Sequence, residues 1–404
     1  VQQMVVTAET APAGPVQINL PLRKPLMPDL GATWPAVVAQ HIITGQTRAD
    51  WQTVQGIAAL LRDKRAMVLA GPDEMTWDAT QFERFANHFK LPILADVLSG
   101  VRPSDHAING IDALLEADVL ADDLVPEVVI RFGGTPVSAR VVAWLRANDV
   151  QVIQVGQNVA GHDHSRQAEI TVAVDEMGLI ADLLAEPGSD SVAFLARWQT
   201  VKTTLTKPIA STDMTEVALP LAMTSLPADS QLFVANSMPI RDMDNYFMPT
   251  QAIRVMANRG ANGIDGTVST AFGMAMTGKP TTFLTGDLTL FHDMNGLMMA
   301  HQAQLDLTIV VVNNQGGGIF SFLPQAAAKA FFEPMFGTPL PFEIADVAKL
   351  YHADYELVAD QARLRELLAQ PAQGLRLLEI KSNREANVAE HDALLAKLRE
   401  AFHG

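Results

Sequence analysis

The six residues Leu307–Val312 read LTIVVV, a β-branched run with no alternation to mark a solvent face. A strand of this kind is buried on both sides, the condition of a parallel sheet covered by helices. Upstream, Asp293–Leu305 carries Met294, Leu297, Met298 and Leu305 at close to helical spacing. Before that, Thr281–Thr285 is another short apolar run. Strand, helix and strand in this order predict a βαβ unit with a right-handed crossover. Gly286-Asp287 closes its first strand, and Asn313-Asn314-Gln315 with three glycines closes its second. Asp287 and Asn314 therefore come to one edge of the sheet, at the carboxyl ends of the strands. Open α/β folds bind ligands at that edge.

The same alternation runs along most of the chain. Strand-like runs at Met67–Ala70, Ile93–Ala95, Val128–Phe132, Val152–Val155 and Ile170–Val174 are separated by helical patterns such as Trp77–Lys90 and Val137–Asn148. A second series comprises Leu232–Ala235, Ile253–Met256, Thr281–Thr285, Leu307–Val312 and Leu375–Ile380, with a final helix over Val388–Phe402. With 404 residues the chain exceeds one ordinary core. The expected fold is α/β, with two doubly wound parallel-sheet domains. A central domain covers 37–204, a polar, Pro-containing linker covers 205–214, and a second domain covers 215–404. Residues 1–36 read as the tail of a preceding domain with a short strand at Val16–Leu20, or as an extended arm.

Charge narrows the function. The net charge of −16 argues against a general nucleic-acid partner, so any anion must be held by individual arginines and backbone N–H groups. The absence of cysteine excludes thiol catalysis, disulfides and Cys-ligated metals. No apolar run is long enough to predict a membrane span, and the first residues are not a signal peptide. A cytoplasmic enzyme fits.

An Asp oxygen, an Asn oxygen and a backbone carbonyl suit Mg²⁺, a hard cation that keeps phosphate and water ligands. Gly316–Gly318 would let the backbone approach a phosphate. The plain alternative is an ordinary βαβ unit with Asp287 as a helix cap and Asn-Gln-Gly as a turn. Two more strand-end stretches converge on the same edge: NSMPIRD (Asn236–Asp242) and NRGANGIDG (Asn258–Gly266). Each holds one arginine, Arg241 and Arg259, whose planar fork matches carboxylates. Either alone reads equally as a surface ion pair. Together, in Gly/Asn-rich loops of an acidic protein, they point to a carboxylate site.

The GD and NN pairs, with Asp287 and Asn314 27 residues apart, resemble the diphosphate–Mg²⁺ signature of thiamine diphosphate enzymes. Leu288 departs from the Gly or Ala usual at its position. With NSMPIRD, NRGANGIDG and NNQGGGIFSFLPQ (Asn313–Gln325), the chain closely resembles the 2-succinyl-5-enolpyruvyl-6-hydroxy-3-cyclohexene-1-carboxylate synthase family of menaquinone biosynthesis. VVIRFGGTPVSARVVAWL, MFGTP and LLEIKSNREANVAEH extend the resemblance over nearly the whole chain.

The resemblance implies decarboxylation of 2-oxoglutarate and conjugate addition of the four-carbon fragment to isochorismate. It implies thiamine diphosphate with Mg²⁺ or Mn²⁺, held by Asp287, Asn314 and the Gly316 carbonyl. Gly286, Leu288 and Gly317 would touch the cofactor, and Ile264 would wedge its two rings. Arg241 and Arg259 would bind substrate carboxylates, with Asn236 and Ser237 as polar contacts. Ile319, Phe320 and Leu323 would form an apolar wall, and Leu288 and Met294 a floor or plain core. Family members also carry a pyrimidine-binding domain ahead of the point where this sequence begins, and GPVQINLPLRKPL resembles its end. The Glu that activates the cofactor belongs there, so this stretch alone is expected to be weak or inactive. The family's sites form between subunits, which predicts a homodimer or homotetramer. The alternatives are a thiamine diphosphate enzyme of the acetolactate synthase type, which has no use for two arginine loops, and a non-catalytic module. Arg131 in IRFGG reads as structural, His162 and His164 as a solvated loop, and His292 as a cap.

Overall fold

The computed structural model describes residues 1–10, 13–33, 36, 43, 45–73, 77–157, 166–210 and 213–403. Two six-stranded parallel sheets organise it. The first contains β1 (Ala66–Ala70), β2 (Ile93–Ala95), β3 (Ala107–Ile108), β4 (Val128–Phe132), β5 (Gln151–Val155) and β6 (Ala168–Val172), in the order β3-β2-β1-β4-β5-β6. The second contains β7 (Gln231–Val234), β8 (Arg254–Met256), β9 (Thr281–Gly286), β10 (Leu307–Asn313), β11 (Asp354–Leu357) and β12 (Leu375–Lys381), in the order β11-β12-β10-β9-β7-β8. Chain order reverses between β1 and β4 in one sheet and between β7 and β9 in the other. At such a reversal the connections leave in opposite directions and open a crevice at the carboxyl ends.

The apolar runs have the predicted cause. Along β10, Leu307, Ile309 and Val311 enter one core layer, while Val310 and Val312 enter the opposite one. Along β1, Met67 and Leu69 face away from Ala66, Val68 and Ala70 in the same way. Each face is roofed by helices, so no strand position needs to be polar.

Several expectations are corrected. Val16–Leu20 forms no regular element and pairs with no described strand, and Leu20 is exposed; a single strand has no ladder to join. A helix at Gln2–Glu9 was not foreseen. The linker at 205–214 begins inside the helix Ala193–Ile209, because Leu205 and Ile209, four apart, are both buried and hold its last turn. Asp293–Leu305 is not one helix but a tight turn, Met294–Met298, followed by Met299–Ala303. There the Asp293 carboxylate accepts the Ser269 N–H at 2.7 Å, and Gly296 lies so close to Ser269 that a Cβ would meet its Oγ at 2.8 Å. Two edge strands, β3 and β11, were missed: one has two residues, and the other reads DYEL.

The last helix, Arg384–His403, does not stay with its own sheet. Leu394, Leu395 and Leu398 pack into the core beneath β1 and β4, beside Trp198 and Leu205. A buried polar clamp joins the two units on the same side. Arg102, after β2, donates to the carbonyls of Ala95 (3.1 Å), Met243 (3.0 Å), Phe247 (2.9 Å) and Asp244 (2.7 Å), and to the Asp244 carboxylate at 2.6 Å. Asp244 also accepts the Val97 N–H at 3.0 Å, and Asn245 accepts that of Ala113 at 2.8 Å. These bonds fix the helix Met238–Tyr246 from the central unit.

Candidate active site

The carboxyl ends of β7, β8, β9 and β10 enclose a cleft of about 300 Å³, within the range of small-molecule sites. It gathers Asn236, Ser237, Arg241, Arg259, Ile264, Gly286, Asp287, Leu288, Asn314, Gly316, Gly317, Ile319 and Phe320 from separate strand ends. Leu323 is not among them. It lies 39% exposed at the end of the turn Gly318–Phe322, which spends its apolar inner face on Ile319 and Phe320. Met294 packs into the core layer with Leu297 and Leu307 rather than forming a floor. His292 is exposed, Arg131 is buried in β4 bonding to Gly134 and Thr135, and His162 and His164 lie outside the described residues.

Asp287 begins the helix after β9 and is buried. Its Oδ1 accepts the Leu288 N–H at 2.8 Å and its Oδ2 the Gly316 N–H at 2.9 Å. Burial pushes its carboxyl up to about 6, with those N–H groups pulling the other way. A nearby cation would relieve that cost.

The twin asparagines divide the work. Asn313 points into the protein and donates to the buried Glu379 of β12 at 2.7 Å. Asn314 faces the cleft. Its Nδ2 donates to Glu216 Oε1 at 3.1 Å, while its Oδ1 is buried without a hydrogen-bond partner. An orphaned carboxamide oxygen beside an underpaired carboxylate is the donor chemistry a hard cation takes. The residues present therefore fit a Mg²⁺ or Mn²⁺ ion, with phosphate and water completing the shell.

Two of the three glycines have a packing cause beside the expected one. At Gly316, with φ +139°, a Cβ would lie 2.0 Å from the Gly337 carbonyl oxygen; at Gly317 it would lie 2.2 Å from that of Phe336. The turn Glu333–Gly337 presses on this backbone, and Gly317 N–H donates to Gly337 at 2.8 Å. Arg384 holds that turn through Glu333 at 2.9 and 3.1 Å. Chain packing, rather than phosphate approach alone, requires glycine here.

The arginine loops are tied by Asn236. Its Nδ2 donates to the carbonyls of Asn258 and Gly263, each at 2.9 Å, and its Oδ1 accepts from Arg259 at 2.8 Å. Asn236 thus aims Arg259 and has little left for a ligand. Ser237 sits at φ +78°, ψ −135°, a strained conformation for a non-glycine residue, and its carbonyl accepts from Arg241 at 2.6 Å. Neither Arg241 nor Arg259 forms an ion pair among the described residues. Burial first, and then the Arg259 charge, lowers the Arg241 pKa. Two guanidinium groups without a carboxylate partner are the kind of donor set an anion takes.

Three polar residues escaped the sequence reading. For Glu216 the signal available in TEVALPL is a lone acid inside an apolar run. Asn387 and His391 lie in LLEIKSNREANVAEH, where no local pattern marks them. His391 donates Nε2–H to Asp242 at 2.8 Å and Nδ1–H to the Asn387 carbonyl at 2.9 Å, beneath the Phe322 ring. Burial pulls this imidazolium down, but Asp242, the Asn387 carbonyl and Glu216 outweigh it and raise it to about 9. Its stabilising charge is present in full below about 6.5 and disappears as pH rises through 9. From about pH 6 to 9.5 the wild type should lose up to about 3 kcal/mol more unfolding free energy than His391→Gln, as read by urea titration. Parallel curves would show that His391 is neutral in the fold.

Comparison with known proteins agrees with this geometry. Residues 33–234 match the family described as the middle domain of thiamine pyrophosphate enzymes. Residues 233–380 match the thiamine pyrophosphate enzyme C-terminal TPP-binding domain. A protein of Leuconostoc mesenteroides named 2-succinyl-5-enolpyruvyl-6-hydroxy-3-cyclohexene-1-carboxylate synthase is 42% identical over 401 residues, covering 99% of this chain and 72% of its own. The chain belongs to this synthase family. Synthases so named from Listeria monocytogenes and Geobacillus kaustophilus are 37% and 35% identical, with 98% and 96% of this chain and 72% and 71% of theirs aligned. The fold is shared more widely: benzoylformate decarboxylase from Polynucleobacter necessarius superposes with a TM-score of 0.65 at 16% identity, over 87% of this chain and 68% of that one. As a synthase-family chain it is a thiamine diphosphate-dependent enzyme, and its cleft lies at the sheet edge of the matched TPP-binding domain. Among the described residues no helix is long and apolar enough to cross a membrane.

Proposed function

We propose that this chain serves the thiamine diphosphate-dependent decarboxylation of 2-oxoglutarate and the addition of the remaining four-carbon unit to isochorismate, a transferase reaction of menaquinone biosynthesis. The observation that carries the substrate class is the pair of unpaired arginines, Arg241 and Arg259, at the edge that also offers Asp287 and Asn314. When bound, the cofactor supplies the carbon centre that takes up the electrons released as CO₂ leaves. This chain's residues do the rest. Asp287, Asn314 and the Gly316 carbonyl hold Mg²⁺ or Mn²⁺. Gly286, Leu288, Gly317 and Ile264 contact the cofactor. Arg241 and Arg259 bind and orient carboxylates, the latter aimed by Asn236. Ile319 and Phe320 would keep water away from the reacting carbon of the bound substrate. The division into a central domain (37–204) and a cofactor-binding domain (215–404) follows the two sheets, with the last helix crossing between them. A homodimer or homotetramer in the cytoplasm is part of this reading; the exposed Phe331 and Met335 beside the cleft support a covering surface.

The complete gene product, assayed with 2-oxoglutarate and isochorismate, should release CO₂ and consume both. In Arg259→Ala, kcat/KM for 2-oxoglutarate should fall by about 100-fold, the usual scale for one charge-assisted carboxylate contact. Turnover of pyruvate alone would overturn this reading in favour of an acetolactate-type enzyme.

A further inference from the structure

We infer that Glu216 aims Asn314 at the cation, so a carboxylate outside the ligand set decides whether the metal site forms. The inference rests on the proposed role of Asn314 as a ligand. A carboxamide is nearly symmetric in shape, and nothing within asparagine selects which end meets the cleft. Here the selection is external. Glu216 Oε1 accepts the Asn314 Nδ2–H at 3.1 Å, and the Asn314 oxygen is left buried and unpartnered. Turned half a revolution, that oxygen would face a carboxylate oxygen, acceptor against acceptor, and the NH₂ would face the cation. Both contacts repel, so the amide is held one way.

Glu216 cannot yield either. Its Oε1 also accepts the Ser382 hydroxyl at 2.6 Å, its Oε2 accepts Asn387 Nδ2–H at 3.0 Å, and only 4% of the residue is exposed. It sits in the turn Glu216–Ala218, whose start is capped by Thr215. The contacts span 98, 166 and 171 residues of sequence. The ends of β10 and β12 and the last helix thereby converge on the one carboxylate of this unit's first turn. Ionised, a carboxylate is acceptor-only, so all three neighbours donate to it, and one of them is Asn314.

The test reads Mn²⁺ binding by electron paramagnetic resonance in the complete gene product, with thiamine diphosphate present and the fold checked by circular dichroism. Glu216→Ala should weaken Mn²⁺ binding by ~10-fold or more, the scale of lost outer-shell support. Asn314→Asp should also bind poorly, because it sets two carboxylates face to face. The double variant Glu216→Gln/Asn314→Asp restores the polarity: the glutamine NH₂ donates to the new carboxylate and to Ser382, and its oxygen still accepts from Asn387. Its Mn²⁺ affinity should recover to within a few-fold of wild type or exceed it. A purely structural role predicts no such recovery. Wild-type affinity in Glu216→Ala, or a folded double variant no better than Asn314→Asp, overturns the inference. If Glu216→Ala does not fold, the comparison of Asn314→Asp with the double variant decides alone. A wild-type protein that binds no Mn²⁺ removes the ligand assignment itself, which is distinct from loss confined to the variants.

Discussion

Asp287→Asn should weaken Mg²⁺-dependent thiamine diphosphate binding by about 100-fold or more, because it removes the only carboxylate of the proposed ligand set. The substitution keeps the shape of the side chain but not its acceptors. Asp287 now satisfies two backbone donors, Leu288 and Gly316, one on each oxygen. An amide can serve one and must turn its NH₂ toward the other, or toward the cation. The buried carboxylate is raised to about 6, so removing it also relieves a cost carried by the cofactor-free protein. Stability without cofactor should therefore change by no more than about 1–2 kcal/mol. Calorimetric titration of cofactor at several Mg²⁺ concentrations separates the two effects. Retained affinity with an unchanged Mg²⁺ requirement would exclude Asp287 as a ligand.

The largest loss of stability should come from Arg102→Met, at about 3–5 kcal/mol. The side chain is 3% exposed and serves four carbonyls and the Asp244 carboxylate, itself 8% exposed. Methionine fills much of the volume but leaves these acceptors dry. Burial, and next the charge of Asp96, raises Asp244 above the ordinary carboxylate range, with Arg102 opposing. Without the arginine the carboxyl can escape only by taking a proton, so the penalty should shrink as pH falls. Adding Asp244→Leu should recover part of the loss, since no buried charge then remains. The helix tied by Arg102 carries Arg241 in its first turns, so KM for the carboxylate substrate should rise as well. Guanidinium unfolding with the same midpoint as wild type would show that the clamp is dispensable.

The ease with which different parts were read has physical causes. Runs such as Leu307–Val312 and Val128–Phe132 announce themselves because a strand buried on both faces has no polar alternation. Asp287 and Asn314 were legible because each follows such a run directly, and Arg241 and Arg259 because they lie within seven residues of a strand end, while a parallel sheet brings all strand ends to one edge. Leu323 stands outside the cleft lining although it reads like its wall neighbours in IFSFLPQ; only the course of the turn separates them. Asp293–Leu305 had helical spacing, but Asp293 found a better partner in Ser269, and Gly296 allowed the close approach.

By itself the sequence determined the layer architecture, the edge of the sheet that binds, and the residue types delivered there, since these follow from local periodicity and from what ends each strand. Only the tertiary structure decided how those residues are held. Glu216 orients Asn314 across 98 residues, Asn236 aims Arg259, Gly337 explains Gly316, and Arg102 fixes the helix of Arg241 from the other unit. Each depends on a contact between distant segments, and no local pattern encodes the partner of a buried polar group. It appears only when the packed chain leaves that group one neighbour to bond.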